Sequence, residues 1–152
     1  MADQVLLPAA HHPPWTERVA ETVVDVDGAE ATVQVLYVFD EADRTETEAT
    51  LGLEDPDVDL DDLARRKADV SAAVDVLEDA GITHDVRGRV HDDRAEAILD
   101  SSSEDGIDRI YLYSRRRSPA GKAVFGSTLQ DVIIGSAIPV VVIPSPPTES
   151  SR

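Results

Sequence analysis

The chain has 152 residues, no cysteine, and 31 acidic against 14 basic side chains, for a formal net charge of −17. That length is one domain's worth and can bury a core. The lack of cysteine excludes disulfide and thiolate chemistry, and the acidity argues against general nucleic-acid binding, which needs a basic face.

Lys67 and Lys122 are the only lysines; the other basic side chains are arginines. Such a surface repels itself at low ionic strength, and the repulsion fades at molar salt, where the screening length falls to ~3 Å. A salt-rich cytoplasm is therefore expected. No apolar run reaches the ~18 residues of a membrane span, and no basic start followed by an apolar stretch marks a secretory signal.

Val5-Leu6-Leu7, closed by Pro8, reads as a short strand buried on both faces. Pro13 and Pro14 precede a helix from Trp15 to Val24, with Val19, Val23 and Val24 on one stripe. Asp27-Gly28 signals a turn. Ala31 to Phe39, rich in Val, Leu, Tyr and Phe, reads as a second strand. Residues 40–57 are acidic and aperiodic and are expected to form a long exposed loop. One helix is predicted from Asp59 to Ala80, with Leu60, Leu63, Val70, Val74 and Leu77 on one face and Gly81 just past its end. Thr83 to Val90 fits a third strand. Asp93 and Glu96 stand at capping-box spacing and start a helix that Gly106 ends. Ile107 to Tyr113 is a fourth strand, followed by a basic loop from Ser114 to Lys122. Ser127 and Gln130 repeat the capping-box spacing ahead of Leu129, Val132 and Ile133. Pro139 to Ile143 is a nearly pure apolar fifth strand. Residues 145–152, rich in Pro and Ser, are expected to be a disordered tail after a single domain spanning 1–144. Alternating strands and helices dictate a parallel sheet covered on both faces and joined by right-handed crossovers.

The last third carries a specific resemblance. Ile107-Asp108-Arg109-Ile110-Tyr111-Leu112, then Gly126-Ser127, then Pro139-Val140-Val141-Val142-Ile143 is similar to the C-terminal half of universal stress proteins. There a strand leads into G-x2-G-x9-G-S/T, a helix, a proline and an apolar strand. The stretch from Arg115 to Lys122, followed by Phe125-Gly126-Ser127, resembles the loop of salt-loving archaeal members. The resemblance implies a flavodoxin-like, adenine nucleotide alpha hydrolase-like, doubly wound five-stranded parallel sheet with strand order 3-2-1-4-5. In such sheets ligands sit beyond the carboxyl ends of the strands where the order reverses, here between the first and fourth strands. It also implies ATP with magnesium as the candidate cofactor, since some members bind ATP there, and a homodimer through the edge from Val140 to Ile143. A bare apolar edge invites such pairing on its own account.

Gly126, Ser127 and Thr128 can offer backbone N–H groups at a helix start to a phosphate. Arg115, Arg116, Arg117 and Lys122 concentrate positive charge on an otherwise acidic chain, and arginine suits bidentate contact with phosphate; Gly121-Lys122 is reminiscent of a phosphate loop, though the full Walker spacing is absent. The resemblance adds Pro8 and Val38, at the ends of the first two strands, as nucleotide contacts. Three positions depart from the family pattern. Counting back from Gly126, its other two glycines fall on Tyr113 and Arg116, and Ala10 stands where ATP-binding members carry an Asp. The turn His11-His12-Pro13-Pro14 is also unlike their Gly-Ser.

Two readings stay open at this point: a regulatory domain binding an adenine nucleotide or phosphate, and a homodimeric interaction module in which Tyr113 and Arg116 have closed the site. Slow phosphoanhydride hydrolysis is a third. Ser114, Ser118 and Ser127 lack a nucleophile-elbow frame, so no dedicated enzyme is expected. Ser127 is better explained as a helix N-cap, and Trp15 as a packing residue. His11 and His12 are adjacent, and His84 and His91 lie at opposite ends of a strand, so no metal site is expected.

Overall fold

The apolar runs become strands because their side chains must be buried on both sides at once. In the computed structural model, which describes residues 3–50, 59–114, 116–117, 123–124 and 126–144, seven strands form. They are β1 (Asp3–Pro8), β2 (Ala31–Phe39), β3 (Thr83–Val90), β4 (Arg109–Ser114), β5 (Arg116–Arg117), β6 (Ala123–Val124) and β7 (Val140–Pro144). Five make one sheet in the order β3-β2-β1-β4-β7, every pair parallel. With β7 as the fifth strand of that sheet, this is the expected order. β5, inside the expected basic loop, and β6, just past its end, form a separate antiparallel ribbon.

The helices are α1 (Pro13–Val26), α2 (Glu41–Thr50), α3 (Leu60–Arg65), α4 (Ala68–Asp79), α5 (Arg94–Glu104) and α6 (Ser127–Gly135). Strand alternation divides the core between the two faces. Val5, Leu7, Val33, Val35 and Phe39 pack with Val19 and Val23 of α1 and with Val70 and Leu77 of α4. Leu6, Leu36, Val38, Ile110 and Leu112 pack with Ile98 of α5 and Val132 of α6. Burying each such side chain stabilises the fold by about 1.5–3 kcal/mol. Among the described residues no helix is long and apolar enough to cross a membrane.

Residues 40–57 were expected to be a loop, but α2 occupies Glu41–Thr50. Its signals are polar rather than apolar. Asp40 accepts from the Asp43 amide at 2.6 Å, and Arg44 pairs with Glu48 one turn on at 2.8 Å. Lys67 reaches across to Asp43 and Thr47. Such pairs hold a helix that has no apolar stripe of its own. The remainder of that segment, 51–58, lies outside the described residues.

The single helix predicted over 59–80 is two. Arg66 ends α3, and Lys67 is extended (φ −75°, ψ 136°) as the N-cap of α4. The break lets α3 turn along the margin of β3. There the Gly88 amide donates to Asp61 Oδ1 at 2.8 Å, and a Cβ at position 88 would lie 2.4 Å from the Leu60 carbonyl oxygen. Only glycine allows that approach. Gly81 (φ 71°) ends α4 as expected.

At the amino ends of the strands, Asp27 at the end of α1 accepts from Arg109 and from the Tyr111 hydroxyl. Arg109 also reaches Asp3 at 3.0 Å. This tie fixes α1 onto β4. Burial pushes the Asp27 carboxyl up, but the hydrogen bonds from Arg109 and Tyr111 outweigh it and hold the group below the usual carboxylate range. Burial and the bond to Asp27 push the Tyr111 phenol up to about 12.

Gly88→Ala should destabilise by about 1–3 kcal/mol, the range for overpacking, and lower the thermal midpoint by about 2–4 °C per kcal/mol; a melting curve of the variant tests this. Asp27→Asn should cost about 1–3 kcal/mol, the range for leaving the partners of a partly enclosed hydrogen-bonding group unsatisfied. Because Asp27 titrates below its unfolded value of 3.8, its contribution is complete above that pH and is lost as pH falls through the folded value. Acid unfolding curves should therefore be shallower below pH 3.8 in the variant than in the parent.

Candidate functional site

Because β1 lies between β2 and β4, its connection through α1 and that of β4 through α6 leave on opposite sides. A crevice opens between the two strand ends. It is a cavity of about 110 Å³, with Ala10, Trp15, Arg94, Tyr113, Gly126 and Ser127 in its walls. Pockets for drug-sized ligands run to about 300–1,000 Å³, so this one has room for a small group.

One wall is the amino end of α6. Its N-cap is Gly126, not Ser127 as the sequence suggested, and no side chain caps it. Ser127 is instead the first helical residue, so its hydroxyl is not spent on the first turn. Gly126 is extended at φ −71°, ψ 168°, a conformation open to any residue. A Cβ there would meet nothing within 4 Å. Among the described residues, packing therefore gives no reason for glycine at this position.

The facing wall is cationic and aromatic. Arg94, at the start of α5, donates to the Ala9 carbonyl at the end of β1. Tyr113 points into the crevice and stacks on Trp15, with ring centroids 5.4 Å apart and an interplanar angle of 14°. His12 in turn lies against Trp15 at 4.1 Å. Trp15 thus lines the site as well as packing. The Tyr113 hydroxyl is enclosed and has no hydrogen-bond partner among the described residues.

Behind this wall, the β1–α1 turn is held by a polar cluster that the sequence did not reveal. His11 has φ 61°, a left-handed conformation that costs a non-glycine residue about 1–2 kcal/mol. Its amide donates to Asp69 at 3.0 Å, and its ring stacks on Tyr37 with centroids 4.3 Å apart. Asp69, 4% exposed, also accepts from Thr16, which receives the Ala10 amide. The Tyr37 hydroxyl donates to Asp43 at 3.2 Å, and Lys67 sits over the Tyr37 ring. Burial, then the nearby Arg94 guanidinium, pull the His11 ring below the usual imidazole range, against the opposite pull of Asp69 and Asp43. Burial and then Asp43 raise the Tyr37 phenol.

Of the expected site residues, Gly126, Ser127 and Thr128 line the crevice. Pro8 and Val38 do not: Pro8 is buried at the end of β1, and Val38 packs into the α5 face of the core. Arg116 takes part through its backbone in β5. Arg115, Gly121 and Lys122 lie outside the described residues, as does the tail 145–152. Arg94 was missed, since nothing in its local sequence ties it to Ala9, 85 residues away. A second cluster, His91 with Glu96 and Asp100, has ligand-type atoms within 4.8 Å of one another. There His91 Nδ1 accepts the Asp93 amide at 2.9 Å. That bond leaves the proton of the neutral ring on Nε2, the nitrogen facing Glu96.

A sequence model of the universal stress protein family matches residues 1–144, while a search of curated proteins returns no match. Among solved structures, a universal stress protein from Archaeoglobus fulgidus is similar at 24% identity and TM-score 0.66, covering 94% of this chain and 98% of that one. A universal stress protein in complex with cAMP is similar at 16% identity and TM-score 0.64, covering 93% and 95%. An Archaeoglobus fulgidus universal stress protein in complex with dAMP shows 20% identity and TM-score 0.59, covering 94% and 98%. The sheet order and the family match agree, and the chain belongs to the universal stress protein family.

Proposed function

We propose that this chain is a non-catalytic regulatory domain whose crevice receives the phosphate of an adenine nucleotide at the amino end of α6. The observation that carries the reading is Gly126: neither its backbone angles nor its packing among the described residues calls for glycine, yet the helix-start amides beside it lie at a cavity that Arg94 also lines. Helix N-terminal amides and a guanidinium are complementary to a phosphate dianion. Two family members of this fold were crystallised with cAMP and with dAMP. No carboxylate or imidazole is among the described residues lining the crevice. Among the described residues the lining thus offers neither a carboxylate ligand for magnesium nor a general base for hydrolysis.

The base has less room. Tyr113, Trp15 and Arg94 take up the space beside β1, and about 110 Å³ does not hold a nucleoside. A nucleotide would be taken whole once the Trp15–Tyr113 stack parts. That stack also favours a second reading, an interaction module in which the crevice has closed and assembly carries the function.

Assembly would use β7. One margin of this strand pairs with β4 and no described strand occupies the other; Val140, Val141 and Val142 are only partly buried, and Ile134 of α6 is 82% exposed. An isologous pair through that margin fits these features. The net charge of −17 and the arginine-rich basic complement suit a salt-rich cytoplasm, as in the salt-loving archaeal members that the sequence resembles.

Titration with AMP and cAMP in about 2 M KCl, where surface charge is screened, should change Trp15 fluorescence. Tyr113→Gly should tighten nucleotide binding by about tenfold, a gain of about 1.4 kcal/mol. If neither protein binds at about 1 mM nucleotide, the phosphate reading fails and the interaction module stands. Sedimentation in the same salt should give twice the 16.4 kDa chain mass; a monomer would refute the pairing. The thermal midpoint should climb as KCl is raised, and a flat or falling midpoint would remove the salt-rich reading.

A further inference from the structure

The His11 cluster has no part in phosphate contact, yet it abuts the crevice on every side that can move. Ala10, which lines the cavity, precedes His11; His12, which lies on Trp15, follows it. Loop and aromatic stack are thus one continuous run of contacts, His11 on Tyr37 at one end and Tyr113 at the other.

We propose that His11 is a pH-sensitive latch on the crevice: its neutral ring holds residues 9–12 closed against Tyr37, and protonation releases them and parts the Trp15–Tyr113 stack. The charged and titratable groups around the ring come from four elements. Tyr37 lies beneath it from β2, and Asp43 faces it from α2. Lys67 and Asp69 face it from the start of α4, and Arg94 from α5. Both carboxylates already hold donors. Asp43 takes the Tyr37 hydroxyl and the Lys67 ammonium, and Asp69 takes the His11 amide and the Thr16 hydroxyl. A third cation beside Lys67 and Arg94 therefore gains little from these carboxylates, while water outside would solvate it fully. The ring's titration below the ordinary imidazole range agrees with this. The left-handed backbone at His11 (φ 61°) adds a bias toward release, because the strain persists only while the surrounding contacts enforce it.

The sign is fixed. A histidine with a lowered folded value stabilises the closed form fully above its unfolded value of 6.5, and that support is lost as pH falls from there through the folded value. The latch itself needs no ligand; its effect on anion binding rests on the crevice reading above.

The test is Trp15 fluorescence of the ligand-free protein between about pH 8 and pH 5, with sulfate titrated in parallel because it stays a dianion throughout. The parent should show a transition with its midpoint below 6.5, and sulfate should bind about tenfold more tightly below the transition than above it. His11→Asn, which tolerates the left-handed conformation, should abolish both changes; His11→Gly, unstrained at that φ, should do the same with unchanged circular dichroism. His12→Gln should keep the transition, which separates the latch from quenching by a protonated His12. A transition absent from the parent, retained in both His11 variants, or lost in His12→Gln overturns the latch. If the transition behaves as expected but sulfate binds to none of the proteins at any pH, the latch stands and the crevice reading fails.

Discussion

Strand β1 is hydrogen-bonded along both margins, to β2 on one side and β4 on the other, with Leu6 level with Gln34 and Ile110. A central strand of this kind must be apolar on both faces, and Val5, Leu6 and Leu7 are fully enclosed. Its position also forces the crossovers on either side to diverge, which opens the crevice at its carboxyl end. The Asp27–Arg109–Tyr111 tie at the opposite end holds α1 to β4. Between them, these two contacts fix where Trp15 stands relative to Tyr113.

The chain's few cations are placed with economy. Arg44, Arg65, Arg87 and Arg89 pair with neighbouring carboxylates on the surface, contacts worth about 0–1 kcal/mol each and weaker still in salt. Arg109 and Lys67 are more enclosed and each bridges elements distant in sequence. Arg94 completes this group at the crevice. Arg109 and Lys67 each take a carboxylate inward with them, so the acidic excess left on the surface is what a concentrated electrolyte screens and a dilute one does not.

What could be read from the chain was whatever apolar periodicity encodes. The five strands of the sheet followed from runs such as Val140 to Ile143, and their parallel pairing from the alternation of elements, while their order came only from the family resemblance. The cap at Asp93, which accepts the Glu96 amide at 3.1 Å, was also legible. α2 was not, because its stability lies in polar pairs such as Arg44 with Glu48. Nor was the break at Arg66 and Lys67, since Leu63 and Val70 continue the stripe across it while the backbone does not. At the site, Gly126 was legible through the family resemblance and does line the crevice, whereas Arg94 was not, because its place there comes from a tertiary contact. Nor was the role of His11: the turn from His11 to Pro14 stood out only as unlike the family's Gly-Ser, and its left-handed backbone rests on tertiary contacts with Asp69 and Tyr37.

The two margins of the sheet differ in kind. That of β3 is sealed by α3, with the Gly88 amide already taken by Asp61, while that of β7 has no described strand beside it. A protomer joining at β7 would turn its own sealed margin outward, leaving no template for a third. Strand addition at that far margin would have to displace the Asp61 carboxylate from the Gly88 amide and move α3 aside, a barrier that the β7 margin does not present among the described residues.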